Sequence, residues 1–194
     1  MIHLSPALLV STANAFVGVT ENAERVLDSE SFVANCLREV HVAAADVPSA
    51  PWHTAFVHHV GYWSHYDNRD RASSWPLPST ADCNELAAWA VEHRVLHTEP
   101  EPGDVFLLWS ARRLRFIRSG IVAHVHCCGF LPDLDHYYAC LTIEGNTDES
   151  FASNGRSMLR HVRPLSSDRG DRFIRWKDIR FAAAEPAERN GKAA

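Results

Sequence analysis

The chain has 194 residues, of which 46% are hydrophobic and 22% are charged, so it is long enough and apolar enough to bury the core of one soluble globular domain. Its 24 acidic and 19 basic residues give a net charge of −5, which argues against broad nucleic-acid binding because such binding requires a positive surface field. No apolar run approaches the roughly 20 residues that a membrane-spanning helix needs, so we expect no membrane span.

The first half of the chain has apolar residues at helical spacing. The pattern predicts four helices, at residues 5–17, at residues 29–41, from Pro51 through the following apolar stretch, and at about residues 80–93. Ser29 or Ser31 is the expected N-cap of the second helix. The polar segment 67–78 contains helix-breaking residues and is predicted to be a loop.

The second half of the chain has the pattern of strands. They are expected at residues 105–109, 116–130, 137–143, 158–162 and 172–179. Helices followed by antiparallel strands predict an α+β fold. We expect residues 1–181 to form a single domain and residues 182–194 to form a flexible tail.

The cysteine pattern favours a reducing compartment. The five cysteines are odd in number and irregularly spaced, and none forms a CxxC pair. The first ten residues have no basic segment of the kind that opens a signal peptide. The cytoplasm is therefore the default localisation, although delivery to a cell wall by lysis or by a dedicated secretion route would also be compatible with the sequence.

Six stretches of the chain, in order, resemble the CHAP and NlpC-type group of papain-like hydrolases, which cut peptidoglycan peptides. Together they cover roughly residues 8–178. They are the opening segment 10–40, Pro51-Trp52-His53-Thr54-Ala55-Phe56-Val57, Pro102-Gly103-Asp104-Val105-Phe106, Arg118-Ser119-Gly120-Ile121-Val122, Thr142-Ile143-Glu144-Gly145-Asn146-Thr147 and Phe173-Ile174-Arg175-Trp176. The resemblance implies a papain-like fold in which N-terminal helices pack on a small, antiparallel, barrel-like sheet.

The resemblance also implies where a catalytic triad would lie. The family's nucleophilic Cys position corresponds to His53, its basic His position to Arg118, and its orienting polar position to Glu144 or Asn146. Arg stays protonated at neutral pH and cannot act as a general base, and an imidazole is a poor substitute for a thiolate. We expect instead a charge-assisted Arg118–Glu144 pair beside a neutral His53.

Other residues are alternative sources of reactivity. Cys36 falls on the apolar stripe of the second helix, where packing is its expected role, and Cys83 lies near the start of the fourth helix. His124 and His126 have an H-x-H spacing that could hold zinc, and His53, His136 or Asp133 could complete the site, although 12 histidines make such a pair easy to obtain by chance.

Aromatic and basic residues suggest a binding surface. A groove for a glycan or peptide could be formed by Trp52, Tyr62, Trp63, Tyr66 and Trp75, and simple anchoring of the nearby loop is the alternative. Trp52 also has a periodic position typical of core. His58, His59 and His65 are expected on a solvated helix face. A basic hairpin tip, Arg112, Arg113 and Arg115, could accompany an acidic ligand.

Three functions remain open at this point. The first is a relative of peptidoglycan amidases and endopeptidases that has lost Cys–His catalysis and binds a peptidoglycan-like peptide or glycan, or a protein partner. The second is an active hydrolase that uses a metal or a relocated cysteine. The third is a structural component of a phage-like or secretion assembly.

Overall fold

The computed structural model describes residues 5–20, 32–43, 46, 50–66, 75–131, 134–148 and 156–180. The predicted caps Ser29 and Ser31, most of the predicted loop and the predicted tail lie outside these residues. Side chains at a few strand positions, among them Cys127 and Cys128, are likewise outside the description.

The described part of the chain contains four α-helices. They are α1 (Pro6–Ala15), α2 (Phe32–Glu39), α3 (His53–Tyr66) and α4 (Cys83–Glu92). Local chemistry explains two of the starts: Ser5 and Asp82 accept backbone N–H bonds as N-caps of α1 and α4, and Pro6 occupies the first turn of α1. No helix within the described residues is both long and apolar enough to cross a membrane.

Six strands form one antiparallel sheet. They are β1 (Leu96–His97), β2 (Val105–Ser110), β3 (Arg115–Leu131), β4 (Leu134–Thr147), β5 (Ser157–Leu165) and β6 (Arg172–Ile174), and their order across the sheet is β1-β6-β2-β3-β4-β5. The predicted α+β class is therefore confirmed. The pairing among the described strands leaves β1 and β5 as edges, so the sheet is open and is not a closed barrel.

Each face of the sheet has its own core. The larger core lies between the sheet and the helices, where α3 packs on both β3 and β4. On the other face, one buried residue from each of five strands belongs to a small second core; these are Phe106, Val122, Cys140, Leu165 and Phe173. Burial on both faces explains why β2 begins with the continuous apolar run Val105–Leu108.

Two local expectations were wrong, and one strand was not anticipated. The last predicted strand, 172–179, is a strand only to Ile174, and a 3₁₀ turn at Trp176–Asp178 follows because Trp176 turns into the core. The short strand β1 had no recognisable signal. His58 and His59 are buried rather than solvated, since α3 is covered by α1 and α2 as well as by the sheet. The side chain of His65 lies outside the description.

Candidate functional site

His53 stands at the first position of α3, as the resemblance implies. The carbonyl of Trp52 accepts the N–H of Phe56 at 2.8 Å, which closes the first turn. Trp52 itself is buried against Gly145, whose backbone leaves no room for a Cβ atom. The helix start is thus pinned to β4 by the indole, and this places His53 at the edge of the core.

Two hydroxyl groups hold the His53 ring. Its Nδ1 lies 3.0 Å from Thr54 Oγ1 and 3.4 Å from Ser119 Oγ, and the two hydroxyls are 3.0 Å apart. Burial, followed by the nearby Arg118 cation, lowers the pKa of His53 to about 4. His53 is therefore neutral at neutral pH, in agreement with the prediction.

The predicted Arg118–Glu144 pair is present, with 3.1 Å between Nη1 and Oε2 and both side chains almost fully buried. The sequence did not predict its second cation. Arg163 on β5 contacts both carboxylate oxygens through Nε and Nη2, and the Thr142 hydroxyl donates to Oε1 at 2.6 Å. Burial alone would raise the pKa of Glu144, but Arg163, Thr142 and Arg118 together hold it below its ordinary value.

Arg118 and His53 lie on opposite faces of the sheet. Ser119 pairs with Leu107 of the helix-side core, and Gly120 pairs with Phe106 of the second core. Because side chains alternate along a strand, Arg118 shares the face of Gly120, where a Cβ would also meet Glu144. The residue at the family's base position, Arg118, therefore does not contact the His53 ring, and Ser119 is the β3 residue that does.

Asn146, the alternative orienting residue, belongs to the charged side of the sheet. Its backbone φ is +55°, in the left-handed region, and its carbonyl oxygen lies 3.4 Å from Arg118 Nη2. The contact helps to enclose the guanidinium.

A cleft of about 310 Å³ opens beside His53, between the starts of α3 and α4 and the β2–β3 hairpin. It is lined by Pro51, His53, Ala81, Asp82, Cys83, Arg113, Arg115, Phe116 and Ile117. The Cys83 thiol hydrogen-bonds with the Thr54 hydroxyl, which also contacts His53. Burial and the Asp82 carboxylate raise the pKa of Cys83 to about 11, so this thiol is protonated at neutral pH.

The five residues predicted to form an aromatic groove lie in different environments. Trp52 is 1% exposed and belongs to the core. Trp75 packs on Trp176 and on His58, with ring centroids 5.8 and 5.9 Å apart, and Tyr62 packs edge-on against it. Trp63 is exposed, and the Tyr66 side chain lies outside the description. Most of the aromatic set therefore anchors α3 and residue 75 rather than lining a groove.

The suggested zinc site is not assembled among the described side chains. His124 and His126 are neighbours, with ring centroids 4.8 Å apart, but no group of three or more His, Cys, Asp or Glu residues in the described part of the chain could hold a metal ion. His53 does not join the pair, and Asp133 lies outside the description. Cys36 is fully buried in the helix-side core, where burial raises its pKa.

Fold and site together define an α+β domain that has a neutral polar cluster beside a cleft and a buried ion triad across the sheet. Comparison of the chain with protein-family models, with curated proteins and with solved structures found no match in any of the three. What the chain does must therefore be argued from its own residues.

Proposed function

We propose that this chain is a papain-like domain of the CHAP and NlpC type that binds peptidoglycan-like peptides without cleaving them. The proposal combines the ordered sequence motifs with a chemistry unsuited to acyl transfer. It would make the protein a binding or regulatory counterpart of a cell-wall amidase rather than an enzyme.

The local architecture at the motifs supports the family part of the proposal. The Pro-Gly-Asp stretch forms the turn into β2, where Gly103 has a φ of +87° and its N–H donates to the Val122 carbonyl at 2.7 Å. A long helix that starts at the nucleophile position packs across β3 and β4. These are the relations between helix and strands that the resemblance implies.

The observation that carries the non-hydrolytic part is the environment of His53. Within the described part of the chain its Nδ1 contacts two hydroxyl groups, and the strand residue facing it, Ser119, cannot serve as a base. Arg118 is across the sheet and is held by a carboxylate. The nucleophile and base that acyl transfer requires are both absent from the matched positions.

Cys83 is the strongest candidate for a relocated nucleophile, because it lines the same cleft and reaches His53 through Thr54. Proton transfer from Cys83 to His53 would, however, run from a group with a pKa of about 11 to one with a pKa of about 4. Such a transfer is strongly unfavourable, so the thiolate needed for attack would be scarce.

Purified peptidoglycan sacculi provide the test. We expect the protein to co-sediment with sacculi, and we expect mass spectrometry of the supernatant to show no fragments beyond those of sacculi alone, while an active muramidase run in parallel releases them. Soluble fragments would overturn the non-hydrolytic assignment, and repeating the digestion with a chelator and with Cys83→Ser would separate a metal from a thiol mechanism. Folded protein that stays in the supernatant would overturn the binding assignment.

A further inference from the structure

The cleft beside His53 has an imbalance of charge. Arg113 and Arg115 line it from the β2–β3 hairpin, and both are exposed. Among the described residues neither guanidinium is in an ion pair. The acidic lining residue is Asp82, whose Oδ1 already accepts two bonds from Asn84, each 2.8 Å long. The described lining therefore carries two positive charges and one negative charge.

The start of α3 adds to the positive potential of the cleft. The residue before the helix is Trp52, whose side chain contains no oxygen that could cap the first N–H groups. The positive end of the helix dipole is therefore not offset by a side-chain cap. Because His53 is neutral, it contributes polarity to this end of the cleft but no compensating charge.

The volume limits what the cleft can accept. At about 310 Å³ it is near the lower end of ligand pockets, which range over roughly 300–1,000 Å³. It suits a side chain or a chain end with its flanking amide better than a disaccharide. The polar wall offers guanidinium donors on one side and the Asp82 carboxylate as an acceptor on another.

We propose that this cleft binds a carboxylate-bearing peptide, with the carboxylate paired to Arg113 and Arg115 and a peptide N–H donated to Asp82. The inference rests on the proposed function, because it names the part of a peptide ligand that the same cleft would recognise. It does not depend on the ligand being derived from peptidoglycan, so the two can be tested separately.

The probe is a fluorescein-labelled peptide, Ala-Glu-Ala-Glu with a blocked C-terminus, and its matched twin is the same peptide with Gln in place of Glu. Binding to the whole chain is measured by fluorescence anisotropy at low ionic strength. We expect the Glu peptide to bind at least about tenfold more tightly than the Gln peptide, since a hydrogen bond to a charged group contributes about 1.5–3 kcal/mol. Added salt should weaken the preference.

The hairpin supplies its own control. R113Q/R115Q should lose at least about tenfold in affinity for the Glu peptide, whereas R112Q, on the same exposed tip but outside the cleft lining, should stay within about twofold. All these positions are away from the core, and circular dichroism checks that the variants fold.

Each outcome separates the two proposals. Sacculus binding without a preference for the Glu peptide would overturn the carboxylate site and leave the proposed function standing. A Glu preference that depends on Arg113 and Arg115, without sacculus binding, would keep the site and overturn the cell-wall assignment. Equal loss in R112Q and R113Q/R115Q would show general attraction to a basic hairpin and would overturn the cleft as the binding site.

Discussion

Arg118 and Ser119 are adjacent on β3, yet they belong to two very different environments. Arg118 enters an ion triad with Glu144 and Arg163 on the face of the second core. Ser119 faces the helices and completes a neutral cluster with His53 and Thr54. Both groups are buried, and the neutral one adjoins an open cleft.

The difference shows that the two faces of β3 have different roles: the ion triad on one face stabilises the fold, and the cluster on the other face adjoins the cleft that could bind a ligand. A carboxylate between two guanidinium groups is compensated within the fold, and its hydrogen bonds leave little capacity for a ligand. The cluster of His53, Thr54 and Ser119 carries no charge. The electrostatic potential of the adjoining cleft is therefore set mainly by the hairpin residues Arg113 and Arg115, which make it positive.

The largest effect is expected from Glu144→Gln. Removing the carboxylate charge leaves two buried guanidinium groups without compensation, which should cost about 3–5 kcal/mol in the free energy of unfolding. Urea denaturation followed by circular dichroism measures the loss. The matched control is Glu101→Gln, because Glu101 is a partly exposed partner of Arg175 and Lys177, and its loss should cost about 1 kcal/mol or less. Equal losses in the two variants would contradict a special role for the triad.

A smaller effect is expected for the loss of fold stability at low pH that His58, in the core between the helices and the sheet, should cause. His58 is buried, neither ring nitrogen has a hydrogen-bond partner among the residues that the structure describes, and burial is the main cause that lowers its pKa to about 4. Between its ordinary pKa of 6.5 and about 4 the unfolded chain binds a proton that the folded chain does not, so stability falls as pH falls through this window. Between pH 7.5 and 5 the loss should be about 2 kcal/mol for this residue.

His58→Phe isolates that contribution, because it keeps an aromatic ring against Trp75 and removes the titration. We expect the variant to be as stable as the parent at pH 7.5 and to lose about 2 kcal/mol less on moving to pH 5. Comparison within the pair matters because Asp104, whose pKa burial raises to about 6, shifts stability in the opposite direction. If the parent and His58→Phe lost the same unfolding free energy between pH 7.5 and pH 5, the result would contradict a buried, neutral His58.

The smallest expected effect tests which strand residue faces position 53. His53→Cys places a thiol at the helix start, and H53C/S119H adds an imidazole on the same face of the sheet while roughly conserving the summed side-chain volume. We expect alkylation of the new thiol by iodoacetamide at pH 6 to be about tenfold faster in H53C/S119H than in H53C, since a facing imidazole stabilises the thiolate. Mass spectrometry assigns the modified residue.

H53C/R118H serves as the comparator on the other face. Its thiol should react no faster than that of H53C, and its circular dichroism spectrum must first show that it folds without Arg118. Faster alkylation in H53C/R118H than in H53C/S119H would mean that residue 118 faces the cleft after all, and it would contradict the separation of the two clusters.

Sequence reasoning reached the α+β class, the helix that starts near Pro51, and the Arg118–Glu144 pair. It could not place Arg118 relative to His53, because the face of a strand residue depends on register, and β3 reads as apolar on both faces. Arg163 was missed because its partner is 19 residues away and long-range charge pairing leaves no local pattern. His58 and His59 were assigned to solvent because a short polar run gives no sign that three elements cover it.

Pairing of β3 with β4 is regular at Ile121–Val122, and the first of its register shifts comes just beyond, toward the far end of β3. Slipping β3 by one residue would turn Arg118 into the apolar helix interface and Ser119 into the charged cluster, so both clusters would lose their partners at once. The ion triad therefore helps to specify the register of β3. A shift of β3 by any odd number of residues would bury Arg118 without its carboxylate partner, and this cost is separate from what the triad adds to the stability of the folded protein.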